Sequence, residues 1–513
     1  MTDADLTCTR DAAVQAALED QFGLADRVVD EENLANSVAR FRERGIVLPT
    51  FEELANPPEL IDPARIGDAD PQGPDVRNLF RVHWYNDKDG NQVTVPDHVV
   101  LTKELTGIDS PILVIFGNRF PMITAHKVLA AYACLAPRVV TGQFDPTKHR
   151  AIWPSTGNYA RGGVAISRLM SSRGVAILPE GMSQERFDWL DRWCENPAED
   201  VIKTVGTESN VKEIYDECNR LAEDPMNFVF NQFAEFVNHL AHYAITGPAF
   251  QHVFEDYRTR SGHTDARLAL VSCATGSAGT IAAAEYLKDT YGTKIAAVEA
   301  LECPTLLMNG FGEHNIQGIG DKHLPIIHNI MKHDLVAAIS DRATDKLEVM
   351  INEEVGLAYL ASKGVPQEQL DALVDFGLSS ICNVLAAISC AKKLGLGRDD
   401  VLFTVATDGG QMYTSERAKI KERDFGGTFT AQQAAETWGA YLANVPTDAT
   451  LELTEFDRNR IFNLGYYTWV EQQGTPFALF ESRRDQDFWT GLHRYVPIWD
   501  QMIREFNAKV AAD

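Results

Sequence analysis

The chain has 513 residues, of which 45% are hydrophobic, and a formal net charge of −26 at pH 7. This length leaves room for more than one domain, and the negative charge argues against nucleic acid or an anionic membrane as a partner, because both bind positive surfaces. The eight cysteines form no CxxC pair, no uncharged apolar run reaches membrane-spanning length, and the first residues lack the pattern of a secretory signal. We therefore expect a cytoplasmic protein with reduced cysteines.

The first 105 residues are predicted to form an extension that is helical at its start. Helix-type spacing of apolar residues covers residues 12–22 and 31–44. A loop-rich stretch with five prolines follows between Pro57 and Pro74. This region contains no motif that points to chemistry, and we interpret it as a cap or a subunit-contact arm.

Beyond residue 110, strand and helix patterns alternate. The apolar run Ile112–Phe116 is typical of a buried strand. Further strands are predicted at residues 150–153, 175–178, 201–205, 268–272, 294–297 and 401–405, and helices at residues 127–135, 159–170, 183–193, 211–222 and 381–390. Repeated strand–helix–strand units imply parallel sheets covered on both faces. We expect an α/β fold with two doubly wound parallel-sheet subdomains.

These patterns predict four segments. Residues 1–105 form the helical N-terminal extension, and residues 106–247 form a smaller subdomain. Residues 248–415 form a larger subdomain, and residues 416–513 form a C-terminal extension. The last segment is rich in aromatic residues, which we expect to pack against the core or a second subunit.

Lys127 begins an apolar helical pattern and is a candidate reactive amine. Thr124 is a suitable N-cap, which would place Lys127 in the first helical turn, where the helix dipole disfavours an ammonium. Burial beside Val128 and Leu129 would also favour the neutral amine, the form that Schiff-base chemistry requires. For a lone lysine, a surface position is the commoner alternative.

A run of small residues from Cys273 to Ala282 is a candidate anion-binding loop. It follows an apolar strand pattern and precedes a helix, whose N-terminus supplies free N–H donors and a favourable dipole. Ser277 and Thr280 add hydroxyl donors, so the run predicts a bound phosphate group. The run is neither GxGxxG nor a P-loop, and a small-residue turn for close packing is the alternative.

Two later stretches also carry candidate ligand contacts. Residues 310–320 contain four glycines, which indicates that the backbone of this stretch closely approaches a neighbouring group. Four histidines lie in or near this stretch: His314, His323, His328 and His333. Their spacing matches no compact ligand motif, so we expect ordinary histidines and no metal. Ser379 either caps the helix that follows it or offers a neutral hydrogen bond to a ligand ring.

Together these stretches resemble the fold type II family of pyridoxal 5′-phosphate (PLP) enzymes, and are most similar to its cysteine synthase and cystathionine β-synthase branch. Lys127 stands where that family has its Schiff-base lysine. The other matching motifs are Ser-Thr-Gly-Asn at 155–158, Pro-Glu-Gly-Met-Ser-Gln-Glu-Arg at 179–186, Asn-Gln-Phe at 231–233, His-Tyr-Ala-Ile-Thr-Gly-Pro at 242–248, the loop at 276–280, His-Asn-Ile-Gln-Gly-Ile-Gly at 314–320 and Ser-Ser at 379–380. Their order and rough spacing agree with the family over residues 106–415.

The resemblance implies PLP as the cofactor and Lys127 as the catalytic residue. The residues that it assigns to the cofactor are Lys127, Asn158, Gly276, Ser277, Ala278, Gly279, Thr280, Gly318 and Ser379. The residues that it assigns to the substrate carboxylate are Ser155, Thr156, Asn158 and Gln232. No metal is implied.

Two motifs depart from the family pattern. The family has Ser-x-Lys-Asp-Arg around its lysine, whereas this chain has Ala125 before Lys127 and Val128 and Leu129 after it. In the phosphate loop, Ser-Ala at 277–278 replaces Thr-Gly. Both changes are compatible with PLP, and they leave the second substrate open.

The resemblance further implies β-replacement or β-elimination on a Cβ-substituted L-amino acid, such as cysteine or O-acetylserine, through an aminoacrylate. A serine or threonine dehydratase, or a racemase, is an alternative. A catalytically silent PLP-binding partner protein is a further alternative. The expected partners are a small-molecule amino-acid substrate and further copies of the chain, in a homodimer or higher homo-oligomer.

Overall fold

Two sheets of unequal size carry the central part of the chain in a computed structural model, which describes residues 12–155, 157–320 and 322–512. The described residues form the strands β1 (His98–Leu101), β2 (Ile112–Phe116), β3 (Arg150–Pro154), β4 (Arg173–Pro179), β5 (Val201–Thr204), β6 (Asn227–Val229), β7 (Arg267–Ala274), β8 (Lys294–Ala300), β9 (Leu335–Ile339), β10 (Asp400–Ala406) and β11 (Thr450–Glu452). The larger sheet has the order β1-β2-β10-β7-β8-β9-β11, and the smaller has the order β5-β4-β3-β6. The predicted α/β fold with parallel sheets is confirmed.

The larger sheet is parallel in its centre and antiparallel at both edges. The strands β2, β10, β7, β8 and β9 pair in parallel, whereas β1 pairs antiparallel with β2, and β11 with β9. Every residue of β2, β9 and β10 is buried, as expected for parallel strands that helices cover on both faces. The two edge strands come from the flanking segments, where the sequence patterns predicted no strand.

The smaller sheet is entirely parallel and lies between Arg150 and Val229 in the sequence. Strand β2 lies in segment 106–247 but belongs to the larger sheet. The chain therefore leaves the larger sheet after Phe116 and returns to it at β7. The division into segments 106–247 and 248–415 stays a prediction.

Helices cover the sheets and make up most of the flanking segments. The α-helices of the described residues are α1 (Ala12–Asp20), α2 (Glu31–Arg44), α3 (Phe51–Ala55), α4 (Pro57–Leu60), α5 (Lys103–Thr106), α6 (Lys127–Val140), α7 (Asn158–Leu169), α8 (Gln184–Trp193), α9 (Pro197–Asp200), α10 (Val211–Ala222), α11 (Phe236–Ala241), α12 (Gly247–Ser261), α13 (Ala282–Tyr291), α14 (Thr305–Met308), α15 (Asp341–Asn352), α16 (Glu354–Ser362), α17 (Gln367–Ala372), α18 (Leu378–Leu394), α19 (Thr414–Phe425), α20 (Ala431–Tyr441), α21 (Glu455–Asn463), α22 (Phe477–Ser482), α23 (Gln486–Leu492) and α24 (Tyr495–Ala511). Across the described ranges, none of the helices has both the length and the apolar character that crossing a membrane requires.

The N-terminal and C-terminal segments pack against each other and against α6. Asp500 of α24 accepts hydrogen bonds from the backbone N–H groups of Phe51 and Glu52 at 2.6 and 3.1 Å, which caps α3. The indole Nε1 of Trp499 donates to the carbonyl oxygen of Ala25 at 2.8 Å. Tyr132 of α6 donates its hydroxyl to the carbonyl oxygen of Pro49. The flanking segments thereby bury the helix that carries Lys127.

Many aromatic side chains of the C-terminal segment lie in the protein interior. The buried rings include those of Trp469, Phe488, Trp489, Tyr495 and Trp499, which agrees with the first of the two predicted alternatives, packing against the core. Tyr467 is 72% exposed and does not follow this pattern. The seven described cysteines are all buried and form no disulfide, and Cys8 lies outside the described residues.

Candidate active site

Lys127 is the first residue of α6, and its amine reaches the loop that follows β7. Its Nζ donates a hydrogen bond to Ser277 Oγ at 3.0 Å. The remaining residues of α6 are all buried. Gly162 lets α7 approach this helix, because a Cβ at that position would lie only 3.0 Å from the Lys127 carbonyl oxygen. Close packing of α6 and α7 therefore sets the position of the amine.

The residue that precedes α6 is His126 rather than the predicted cap, Thr124. Thr124 has a φ of +49°, and its hydroxyl donates to the carbonyl oxygen of Ile123 at 2.8 Å. Met122 is also left-handed, with a φ of +64°. The prediction of a Thr124 cap is wrong because the chain turns sharply through these two residues before the helix begins.

The predicted phosphate loop, residues 276–280, lies between β7 and α13. Ser277 Oγ also accepts a hydrogen bond from Asn238 Nδ2 at 3.1 Å. Gly279 permits this contact, since a Cβ there would lie 2.2 Å from Asn238 Oδ1. Ala278 is buried and has a φ of +63°, the left-handed conformation that glycine adopts most easily. The loop is therefore compact and packed against α11.

The predicted substrate loop runs from the end of β3 into α7. Ser155 Oγ accepts a hydrogen bond from the backbone N–H of Gly157 at 3.0 Å. Gly157 has a φ of +149°, and a Cβ at this position would lie 2.4 Å from Arg186 Nε. Only glycine fits between the loop and the Arg186 side chain. Thr156 lies outside the described residues.

Asn158 is held at both ends of its side-chain amide by charged groups. Its Nδ2 donates to Asp408 Oδ2 at 2.7 Å, and its Oδ1 accepts from Arg161 Nη1 at 3.1 Å. Burial and the neighbouring Arg186 lower the pKa of Arg161 to about 9. Tyr413 donates its hydroxyl to the same Asp408 carboxylate at 2.9 Å. This buried network fixes the orientation of the amide at the floor of the cleft.

Ser379 lies in the first turn of α18, which begins next to the end of β10, since the Gly377 N–H donates to the carbonyl oxygen of Asp408 at 2.9 Å. Among the described residues, its buried Oγ has no hydrogen-bond partner. The adjacent Ser380 donates its Oγ to the carbonyl oxygen of Asp408 at 3.3 Å. Buried hydroxyls are normally hydrogen-bonded, so the Ser379 hydroxyl is suited to form a hydrogen bond with a ligand atom.

One cleft brings together residues from several of the predicted motifs. It is lined by Lys127, Ser155, Asn158, Tyr159, Glu208, Gln232, Phe233, Gly276, Ser277, Gly318, Ile319 and Thr407. Of the predicted site residues in the described ranges, Ala278, Gly279, Thr280 and Ser379 are not in this lining. The motifs at 155–158, 231–233, 276–280 and 314–320 thus converge on the Lys127 amine.

Sequence reasoning missed three polar residues of the cleft: Tyr159, Glu208 and Thr407. Thr407 directly follows β10, and Glu208 follows β5 within a few residues. Ligands of open α/β sheets bind outside the carboxyl ends of the strands. Polar residues that follow predicted strands were therefore the signal that could have found both.

His126 lies behind the predicted phosphate loop. Its Nε2 lies 2.8 Å from Thr280 Oγ1, and its ring stacks on Trp84 with centroids 5.3 Å apart. Burial and the adjacent Lys127 lower the pKa of His126 to about 3. The imidazole is neutral at physiological pH, so it can orient the Thr280 hydroxyl without adding charge.

The histidines considered for a metal site have other contacts. His314 accepts a hydrogen bond from the backbone N–H of Ile316 at Nδ1 (3.1 Å), and its Nε2 lies 3.1 Å from the carbonyl oxygen of Gly320. His328 and His333 contact each other through Nε2 and Nδ1 at 3.3 Å. In the part of the chain that the structure describes, no group of three or more His, Cys, Asp or Glu side chains could hold a metal ion.

Comparison with known proteins shows which proteins this chain is similar to. No model of a known protein family matches the chain. The cysteine synthase of Staphylococcus aureus (strain Mu50 / ATCC 700699) is 29% identical over 265 residues, which cover 51% of this chain and 74% of the relative. Cysteine synthase B of Campylobacter jejuni is 27% identical over 259 residues, which cover 49% of this chain and 75% of the relative. The chain is a cysteine synthase-like enzyme.

Its fold is that of the PLP fold type II enzymes. The structure of cysteine synthase from Entamoeba histolytica superposes with a TM-score of 0.52 at 23% identity and covers 67% of this chain and 92% of the Entamoeba chain. The cysteine synthase-like fold implies PLP as the cofactor. About half of this cysteine synthase-like chain lies outside the aligned part of the curated relatives.

Proposed function

We propose that the protein is a PLP-dependent enzyme that catalyses β-replacement on a Cβ-substituted L-amino acid, such as O-acetyl-L-serine or L-cysteine. The single observation that carries this proposal is the 3.0 Å hydrogen bond from Lys127 Nζ to Ser277 Oγ. It joins an amine at a helix start to a small-residue anion-binding loop, in a cleft that Asn158 and Gln232 also line. An amine and a phosphate site at this separation fit a cofactor with an aldehyde and a phosphate.

The described residues fit PLP. Loop 276–280, with Gly318 beside it, would hold the phosphate through backbone N–H groups and hydroxyls. Lys127 would bind the aldehyde carbon, and Asn158 would hydrogen-bond the ring oxygen. The buried Ser379 Oγ, which has no partner among the described residues, would meet the ring nitrogen. When bound, PLP withdraws electrons from Cα and makes its proton acidic.

The side chains of the cleft would have different roles in binding the substrate and in proton transfer. Ser155, Thr156, Asn158 and Gln232 would hold the substrate carboxylate and orient the Cα–H bond. Once the substrate amine has replaced it at the aldehyde carbon, the Lys127 amine would remove the Cα proton as a general base. The Cβ substituent would then leave with its electron pair, and a nucleophile would form the new bond to Cβ. The protonated Lys127 amine would finally return the proton to Cα. Ser379 offers a neutral hydroxyl, which limits charge build-up on the ring and favours prompt loss of the substituent.

We also propose roles for the four segments of the chain. Residues 106–247 and 248–415 would form the two catalytic subdomains, and the smaller sheet would close over the bound substrate. Residues 1–105 and 416–513 would act as supports of α6. A homodimer or higher homo-oligomer is the proposed assembly.

The visible absorbance of the purified protein tests the proposal. Wild type incubated with PLP should show the band of the bound cofactor, and O-acetyl-L-serine, L-cysteine or L-serine should shift it. Lys127→Ala should lose or alter the band, whereas Lys212→Ala, an exposed lysine paired with Asp216, should leave it unchanged. A wild type that remains colourless after reconstitution contradicts the proposal. Release of pyruvate and ammonia in place of a substituted amino acid would indicate β-elimination.

A further inference from the structure

The imidazole of His126 packs against two aromatic rings and faces one hydroxyl of the predicted phosphate loop. The side chain is 1% exposed. The indole of Trp84 stacks on it with ring centroids 5.3 Å apart, and the ring of His242 meets it edge-on at 5.5 Å. In this position the imidazole places Nε2 2.8 Å from Thr280 Oγ1. Packing therefore sets the direction of Nε2.

The two rings around His126 are themselves held by hydrogen bonds. Trp84 Nε1 donates to Thr246 Oγ1 at 2.8 Å, and His242 Nδ1 lies 2.9 Å from the same oxygen. Trp84 belongs to the N-terminal segment, whereas Thr246 directly precedes α12. The imidazole has little room to turn within this layer, so its contact with Thr280 is built into the fold.

The proton of the imidazole has a hydrogen-bond acceptor at Nε2. Burial and the adjacent Lys127 lower the pKa of His126 to about 3, although the nearby Thr407 carbonyl acts in the opposite direction. The ring is therefore neutral at physiological pH and carries a single N–H. In the described part of the chain, Nδ1 has no partner in hydrogen-bond geometry. Because a buried N–H without an acceptor is costly, the proton resides on Nε2 and is donated to Thr280 Oγ1.

Donation from His126 leaves the hydrogen of the Thr280 hydroxyl available for an anion. Ser277 is arranged in the same way, since its Oγ accepts from Lys127 Nζ at 3.0 Å and from Asn238 Nδ2 at 3.1 Å. Each oxygen accepts from a neighbour, and each hydroxyl keeps its own hydrogen to donate. Of the described residues that line the cleft, Lys127 is the only lysine, arginine or histidine. Neutral donors would therefore hold most of the charge of a bound phosphate.

We propose that His126 positions the Thr280 hydroxyl as a hydrogen-bond donor to the phosphate of the cofactor, by donating from Nε2 to the threonine oxygen. This inference rests on the proposed function, because the phosphate is that of PLP. His126 touches neither substrate nor cofactor in this role and transfers no proton, so it is a positioning residue. Hydrogen bonds to a charged phosphate are among the stronger ones in proteins. Loss of the Nε2 donor would let the hydroxyl turn away from the phosphate and would weaken cofactor binding.

Binding of PLP and of pyridoxal, which lacks the phosphate, tests the inference. The dissociation constant of each is measured by titrating the full-length protein and following the visible band. His126→Phe keeps a ring against Trp84 but has no donor. The dissociation constant of PLP should therefore rise about tenfold, the size expected for one hydrogen bond to a charged group, while that of pyridoxal should stay within about twofold. Thr280→Val should match His126→Phe, and the double variant should bind PLP no more weakly than either.

Matched variants separate the hydrogen-bond donor from the packing. His126→Gln keeps an N–H donor and should bind PLP about as well as wild type. His126→Met has a side chain of similar length without a donor and should resemble His126→Phe, so this pair decides the matter if His126→Phe does not fold. Thr246→Val disturbs the same aromatic layer on the side away from Thr280. It should lower stability and leave the preference for PLP over pyridoxal unchanged.

The possible results distinguish this inference from the proposed function. Wild-type affinity for PLP in His126→Phe and His126→Met, with the cofactor band present in wild type, would overturn the inference alone. Equal losses of affinity for PLP and pyridoxal, or additive losses in the double variant, would also overturn it, because they indicate a role in packing only. A wild type that binds no PLP would overturn both. If pyridoxal does not bind to wild type, the double variant decides.

Discussion

Asn158 donates its side-chain amide to the carboxylate of Asp408, with 2.7 Å between Nδ2 and Oδ2. These two residues are 250 positions apart and join the predicted substrate loop of the smaller sheet to the end of β10 in the larger one. Asp408 is fully buried. The contact therefore links the two sheets at the floor of the cleft, and it holds the residue that we assign to both cofactor and substrate.

Asp408→Asn should lower both the free energy of unfolding and the affinity for the amino-acid substrate. Loss of the carboxylate leaves the charge of the buried Arg186 without its partner, and such losses typically cost about 3–5 kcal/mol. The Asn158 amide would also be free to rotate, so we expect a higher KM for the amino acid. Urea unfolding and steady-state kinetics measure the two effects. Tyr413→Phe removes one hydrogen bond to the same carboxylate but keeps the contact between Asp408 and Asn158, so it should cost about 1 kcal/mol and raise KM less than Asp408→Asn does. An unchanged KM in Asp408→Asn would contradict the assigned role of Asn158.

Ser379→Ala should separate cofactor binding from folding. The Ser379 Oγ is buried without a partner in the described part of the chain, so its removal relieves a desolvation cost of about 1–3 kcal/mol. We expect the cofactor-free variant to be at least as stable as wild type and its affinity for PLP to fall. Thermal unfolding and PLP titration measure these quantities. Ser380→Ala is the matched control. It removes a hydrogen bond to Asp408, so it should lower the stability of the cofactor-free protein, which Ser379→Ala should not. Wild-type PLP affinity in Ser379→Ala would refute the assignment.

Gly163→Ala should destabilise the protein strongly. A Cβ at Gly163 would lie 2.0 Å from Cδ2 of the buried Trp153, and overpacking of this kind costs about 3 kcal/mol. Gly439 in α20 is the matched control, since a Cβ there meets nothing within 4 Å. Gly439→Ala should raise the free energy of unfolding by about 0.5–1 kcal/mol, the helix propensity difference. Urea denaturation of both variants measures the contrast, and equal effects would show that α7 does not pack as described.

His126 should contribute to sensitivity to mild acid. Burial and Lys127 lower its pKa in the folded protein to about 3, whereas an unfolded histidine has a pKa of about 6.5. The unfolded state therefore binds more protons between these values, and stability is lost as the pH falls below about 6.5, at roughly 1.4 kcal/mol per pH unit. The difference in unfolding free energy between wild type and His126→Asn should narrow by about 2 kcal/mol between pH 6.5 and 4.5. Tyr132→Phe should show a gap that stays constant over the same range, and a constant gap for His126→Asn would mean that His126 is not neutral in the fold.

Local patterns in the sequence were sufficient for the fold class and for most of the residues that line the cleft. Strand β2 coincides with the predicted run, because a fully buried parallel strand is apolar at every position. The helix that begins at Lys127 and the loop at 276–280 were also found, because each depends on residues close in sequence. The predicted cap at Thr124 was wrong because left-handed backbone at two nearby residues is not visible in composition.

What the sequence by itself determined is therefore the order of strands and helices and the motifs that carry the amine and the anion loop. Only the tertiary structure decided that the flanking segments supply the edge strands β1 and β11, that Asp408 holds Asn158 and that Glu208 faces the cleft. The physical reason is distance along the chain. Periodicity and capping record contacts within a few residues, whereas these contacts join residues well beyond that range, up to 250 positions apart for Asn158 and Asp408.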